Sequence, residues 1–153
     1  MHITKDNIGE FIEGSTMDCS DKGITRLEYI PDGITSLDCN NNKLTELPKL
    51  PESLTNLYCY SNKLTSIPKL PDGLEYLYCE GNKLTELPKL PESLEYLYCY
   101  NNKLTELPIL PNSLTDLYCY NNNLPYEITL DNLKEHNKLI KRKQILEKIR
   151  LYH

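Results

Sequence analysis

The sequence predicts a repeat solenoid, a short curved arc with one parallel β-sheet on its concave side and extended arms on its convex side. A C-terminal helix is expected to cap it. Three observations carry this reading. Cysteines 19, 39, 59, 79, 99 and 119 stand twenty residues apart without a slip. Each sits in a near-copy of one sentence, as in Ser53-Leu-Thr-Asn-Leu-Tyr-Cys-Tyr-Ser-Asn-Lys-Leu-Thr-Ser-Ile-Pro-Lys-Leu-Pro-Asp72. Apolar residues recur at the second, fifth, seventh, twelfth, fifteenth and eighteenth places of that sentence, here Leu54, Leu57, Cys59, Leu64, Ile67 and Leu70. A fixed period of this length marks stacked units, each burying its apolar side only against a neighbour.

Cut with the cysteine seventh, the repeats are 13–32, 33–52, 53–72, 73–92, 93–112 and 113–132. Residues 1–12 are expected to cap the first repeat through Ile8, Phe11 and Ile12. Residues 133–153 form the basic capping helix. Within a repeat, Leu57-Tyr58-Cys59-Tyr60 alternates with the period of two of a short strand, which turns Leu57 and Cys59 inward and the tyrosines outward. The tenth place holds Asn42, Asn62, Asn82, Asn102 and Asn122. Asparagine repeated where a strand meets a turn implies side-chain amides bonding the backbone of adjacent turns, a ladder along the stack together with the cysteine file. The return arm reads Leu47-Pro48-Lys49-Leu50-Pro51. Proline removes a donor and fixes φ, so the arm is predicted to be extended or polyproline-like.

Leu54-x-x-Leu57-x-Cys59-x-x-Asn62-x-Leu64 resembles the leucine-rich repeat consensus L-x-x-L-x-L/C-x-x-N-x-L, and the later repeats match it again. The Leu-Pro-x-Leu-Pro arm looks like the short bacterial subclass of secreted effectors of enteric pathogens. The phrasing Leu-Tyr-Cys-Tyr-Asn-Asn-Lys-Leu-Thr is also similar to repeat proteins of giant DNA viruses. The resemblance covers residues 13–132 and implies a leucine-rich-repeat arc; for function it is broad, because such folds host many partners. Both ends depart from the pattern. Lys22 stands where asparagine is expected and Glu28 where proline is, and the last repeat replaces its proline arm with Leu124-Pro-Tyr-Glu-Ile-Thr-Leu130. Degenerate terminal units are what capping requires. Asp131 is the expected N-cap of a helix running to about Leu151. On it Leu139, Ile145, Leu146, Ile149 and Tyr152 share one arc, with Leu133, Ile140 and Leu151 opposite.

The formal charge of −5 hides an asymmetry: residues 133–153 hold seven Lys and Arg against two Glu, leaving the repeats strongly acidic. The N-terminus has no apolar h-region, no stretch approaches a membrane span, and no Asn-x-Ser/Thr sequon occurs, all of which point to an intracellular, cytoplasmic protein. For an effector or a viral protein that would be the host cytoplasm.

Thiols stacked at the interstrand distance run parallel, a poor arrangement for disulfides and for tetrahedral metal ligation, so the cysteines are expected to be inert core groups. The histidines, His2, His136 and His153, lie outside the regular repeats. No nucleophile–base set or acid–base pair can be assembled, and no metal or cofactor motif is present; the expectation is a protein that is not an enzyme. The tyrosines carry the stronger signal. The outward fourth, sixth and eighth places hold Tyr58, Tyr60, Tyr76, Tyr78, Tyr96, Tyr98, Tyr100, Tyr118 and Tyr120, accompanied by Glu80 and Asp116. The leading expectation is therefore a module that binds a protein or peptide on this tyrosine-rich concave surface. The competing account is that tyrosines suit strands, stack along the ladder and were copied with the repeat. The effector resemblance implies an alternative, a substrate-recruiting adaptor for ubiquitin transfer without a catalytic domain of its own. A third reading is nucleic-acid binding by tyrosine stacking and the basic helix, which the acidic repeats disfavour.

Overall fold

A computed structural model describes residues 1–153. Its elements in chain order are β1 (His2–Ile3), a 3-10 helix (Ile8–Phe11), β2 (Ile12–Glu13), β3 (Thr16–Asp18), β4 (Arg26–Leu27), β5 (Ser36–Asp38), β6 (Asn56–Tyr58), β7 (Tyr76–Tyr78), β8 (Tyr96–Tyr98), β9 (Asp116–Tyr118) and α1 (Leu133–Leu151). One strand per repeat, each of three residues, builds the parallel run β3-β5-β6-β7-β8-β9, and β2 adds to its edge antiparallel to β3. Every parallel pairing is offset by twenty residues, for example Leu57 opposite Leu77 and Leu77 opposite Leu97. The backbone ladder continues past the strands, from Cys59 N–H to Tyr78 O (2.9 Å) and Ser61 N–H to Glu80 O (2.9 Å).

Register explains the core. The six apolar places of each repeat form six files, and one apolar cluster runs from Ile3 to Leu133. Leu57, Leu64, Leu77, Leu84, Leu97 and all the cysteines from 19 to 99 are wholly buried. Removing such a leucine from water is worth about 1.5–3 kcal/mol. The nineteenth-place prolines Pro51, Pro71, Pro91 and Pro111 are buried, and each opens a tight turn: Leu54 N–H bonds Pro51 O (3.1 Å) and Leu94 N–H bonds Pro91 O (3.1 Å). The strand exits into a turn at the ninth place, where Asp21, Asn41, Ser61, Gly81, Asn101 and Asn121 all have φ between 52° and 66°. Only glycine, and short polar residues that bond locally, occupy that left-handed region at low cost.

The turns would leave backbone groups orphaned inside the stack, and the tenth-place asparagines satisfy them. The Asn62 amide donates to Cys39 O (3.0 Å) and Cys59 O (3.2 Å), while its oxygen accepts from Leu44 N–H (3.0 Å). Asn82, Asn102 and Asn122 repeat the pattern one turn later each. Lys22 cannot do this, and the oxygen of Asn42 accepts from Lys22 N–H and Ile24 N–H to complete the first turn.

The two ends are closed differently. At the N-terminal end Ile3 and Ile8 are buried, Phe11 and Ile12 pack against the core, and β1 pairs in parallel with β4 on the arm side. At the other end Leu124 packs on the core, Ile128 is buried, and its carbonyl accepts the Cys119 thiol (3.3 Å). The N-cap of α1 is Asn132, not the expected Asp131. The Asn132 amide donates to Glu127 O and its oxygen accepts from Thr129 N–H, so the side chain ties down the incoming loop instead of capping the helix. The helix lies against the arm of the fifth repeat through Leu133, His136 and Ile140; the apolar arc of Leu139, Ile145, Leu146, Ile149 and Tyr152 faces solvent. His136 Nε2–H donates to Pro108 O (2.9 Å), which leaves Nδ1 facing the Tyr126 hydroxyl (2.7 Å). Asn137 clamps both backbone groups of Leu110 (2.7 Å each), and Lys143 pairs with Glu106.

Replacing Asn62 with alanine orphans one N–H and exposes no water to replace the lost bonds, so urea unfolding is expected to show a loss of about 3 kcal/mol. Asn122, half-buried at the last turn, is expected to show less than half that loss on the same substitution. Equal losses at both positions would contradict the ladder as the source of the stability.

Candidate functional site: a tyrosine-paved sheet face

The period of two sends the fifth and seventh places into the core, so the fourth, sixth and eighth places must face out. In-register stacking then brings like beside like, one strand spacing apart. Tyr76 and Tyr96 stack with ring centroids 4.5 Å apart and planes 4° from parallel. Along the sixth place Tyr78 and Tyr98 stack at 4.3 Å and 2°, and the column ends edge-on at both sides, Tyr58 against Tyr78 (77°) and Tyr98 against Tyr118 (88°). Tyr100 and Tyr120 stack at 4.6 Å. Such pairs are worth about 0.5–1.5 kcal/mol beyond their buried area. The rings are half-buried by one another, and exposure rises at the last repeat, to 45% for Tyr118 and 55% for Tyr120.

All nine sheet tyrosines, with Glu80 and Asp116, thus lie on one continuous face of the third to sixth repeats. The first two repeats present Asp18 and Asp38. Ser20 donates to Asp18 from both its backbone and its hydroxyl (3.0 and 2.7 Å), which holds that carboxyl below its ordinary range. Asp38 is held above it by partial burial, against the opposing bonds from Asn40. Glu80 is raised by burial too, and its Oε2 is sealed from solvent with no hydrogen-bond partner. Burial, then the neighbouring Tyr98, pushes the Tyr78 hydroxyl up to about 12.

The chemistry of the remaining candidates is quiet. All six cysteines are free thiols and buried. Burial pushes Cys19 up to about 12 and raises Cys39, Cys59, Cys79 and Cys99 further or comparably, which removes the thiolate that nucleophilic or redox chemistry needs. The three histidines do not converge: His2 and His153 are exposed at opposite ends and His136 pins the helix. A hollow of about 530 Å3 lies at the end of the sixth repeat between Tyr118, Tyr120, Leu124 and Tyr126. It is open to solvent, and the sheet face itself is a surface rather than a cleft, an arrangement suited to a macromolecule more than to a small ligand.

Three contributors escape the sequence reading. The left-handed ninth place is signalled by its residue set, Asp, Asn, Ser and Gly. The first-place serines bridge to the preceding turn, Ser53 to Ile34 O (2.7 Å) and Ser113 to Leu94 O (2.6 Å), and their repetition is a visible signal. His136 has none, because its partners Tyr126 and Pro108 share no period with it.

This geometry, a twenty-residue turn with one short strand, an inward asparagine and an extended arm, is that of the leucine-rich repeat. Residues 52–92 match the family model described as leucine-rich repeats (two copies). YopM from Yersinia enterocolitica WA-314 is 36% identical with a TM-score of 0.73, over 75% of this chain and 26% of that one. The leucine-rich repeat domain of a Shigella effector is 34% identical with a TM-score of 0.74, over 83% of this chain and 57% of that one. YopM from Yersinia pestis is 26% identical with a TM-score of 0.53, over 78% and 52% of the two chains. The chain therefore spans about a quarter to somewhat over half the length of these solved relatives. No curated protein matches it. The chain is a leucine-rich repeat protein, and its repeats are similar to those of bacterial effectors. The fold is that of a protein–protein interaction module. No helix is long and apolar enough to cross a membrane.

A carboxyl that keeps its proton to higher pH when folded contributes stability at acid pH that is lost as pH rises through its folded range. Glu80→Gln is therefore expected to melt a few degrees above the wild type at pH 7, and the gap should close below about pH 4. A variant less stable than wild type at neutral pH would show that Glu80 is compensated. Thiol titration of the folded protein is expected to find six slow groups that become fast in denaturant; one fast thiol in the native state would reopen covalent chemistry.

Proposed function

We propose that this protein is a non-enzymatic binding module that holds a protein or peptide against the tyrosine face of repeats three to six. The observation that carries the reading is the paving itself: three files of rings, all but Tyr60 held against a neighbouring ring, on the one surface that the repeats leave free of arms and helix. Tyrosine offers wide contact area and a hydroxyl with few rotors to freeze, and stacking on a sheet has already frozen them. The interaction-module fold supports the same reading. Six reduced thiols fit action inside a cell, the host cytoplasm included, where thiols stay reduced. The outward places hold carboxylates and no lysine or arginine, which weighs against phosphate backbones as the partner.

Affinity capture tests it. Replacing Tyr78, Tyr98 and Tyr100 together with serine is expected to remove two stacked and two edge-on ring pairs, at a stability loss of about 2–6 kcal/mol, and leave a folded protein by circular dichroism. Capture of the partner should fall at least tenfold. Undiminished capture by the folded variant would dismiss the face as the binding surface.

A further inference from the structure

The outward eighth place runs Ser20, Asn40, Tyr60, Glu80, Tyr100 and Tyr120. One carboxylate interrupts the aromatic file. The register sets Tyr60 and Tyr100 one strand to either side of Glu80, through Ser61 N–H to Glu80 O (2.9 Å) and Gly81 N–H to Tyr100 O (3.1 Å). Two strand spacings separate the flanking rings by roughly 10 Å. A cation midway lies about 5 Å from each ring, inside the reach of a cation–π contact, with the carboxylate as the floor.

No cation of the protein takes this place. Tyr100 stacks on Tyr120, on the side away from Glu80, and Tyr60 has no ring partner. Glu80 has no ion-pair partner, and one of its oxygens is buried without a donor. The lysines at 43, 63, 83 and 103 project from the turns beyond the strands and pair with no carboxylate of the face. An unmatched half-buried carboxylate is costly to keep and marks a place where an incoming group restores the balance. The charge of the face is of one sign along its whole length, from Asp18 and Asp38 to Glu80 and Asp116.

Resting on the reading of the tyrosine face as the binding surface, we infer that its partner presents a basic extended segment whose arginine or lysine seats over Glu80 between Tyr60 and Tyr100. From β6 to β9 the face spans three strand spacings, roughly 14 Å, the reach of about four extended residues. Arginine suits the slot best, since its planar guanidinium stacks on rings and pairs with a carboxylate at once.

The probe is a fluorescein-labelled, otherwise alanine–serine heptapeptide with arginine at its second and fifth positions, beside matched peptides carrying glutamine or glutamate there. Anisotropy with the full chain is expected to rank arginine above glutamine by at least tenfold and to show no binding of glutamate. Glu80→Gln should weaken the arginine peptide at least tenfold while melting no lower than wild type. Glu46→Gln, which removes the same charge from the arm side, should change it less than twofold. Equal binding of the arginine and glutamine peptides, no binding of any, or equal loss in the two variants would overturn the inference. A partner captured by wild type and by Glu80→Gln but not by the tyrosine variant would keep the binding face and dismiss its cationic specificity. A partner captured equally by all three would dismiss both.

Discussion

The structure depends on one constraint: a chain that turns every few residues buries peptide groups that no strand can pair. The sheet is only three residues wide, and most of each repeat is turn or proline arm. The asparagine ladder resolves this. Each amide bonds two cysteine carbonyls, one in its own turn and one in the turn before, while its oxygen takes a leucine N–H of the earlier turn. The side chain acts as a portable piece of backbone. Substituting aspartate would lose the donors, and serine would fall short of the reach.

From that constraint follows the nature of the outer face. Because every turn is locked to the last at a strict twenty-residue offset, outward side chains have no freedom to stagger. Residues of the same place are forced into one file, and the residue types decide whether the file is favourable. Tyrosine tolerates it: rings a strand spacing apart are at stacking distance, as the 4.3 Å separation of Tyr78 and Tyr98 shows. Carboxylates repel one another there, and the adjacent pair at the sixth place, Asp18 and Asp38, each takes local donors from the residues that follow. Glu80 stands alone in its file, with aromatic neighbours on both sides.

The inside of the repeat was legible because it is written six times. Periodicity named the strands, the buried files and the outward tyrosines, since a side chain's direction in an in-register stack follows from its place alone. Features used once were not legible. Asn132 rather than Asp131 precedes the helix because its side chain is committed to Thr129 and Glu127, partners on a loop with no counterpart elsewhere. The buried arc of α1 was likewise open to either choice, since its wider apolar stripe faces water and the narrower one, with His136, meets the arm of the fifth repeat. At the candidate site, the placement of tyrosines could be read, but their pairing geometry and the unpartnered oxygen of Glu80 depend on ring rotation and packing that no residue pattern encodes.

The ladder has a direction. Every asparagine completes the turn before its own, so a turn is finished only when its successor arrives, and the sixth is finished by different chemistry, the Cys119 thiol on Ile128 and the apolar cover of Leu124. Lengthening is therefore indifferent to position: a further copy spliced between any two interior turns inherits a donor and supplies one, while both stoppers stay as they are. Such a molecule behaves as a ruler with removable segments. Gene duplication can move it by one division of about 4.8 Å, fitting the length of the surface to its occupant without reopening the problem of how to fold.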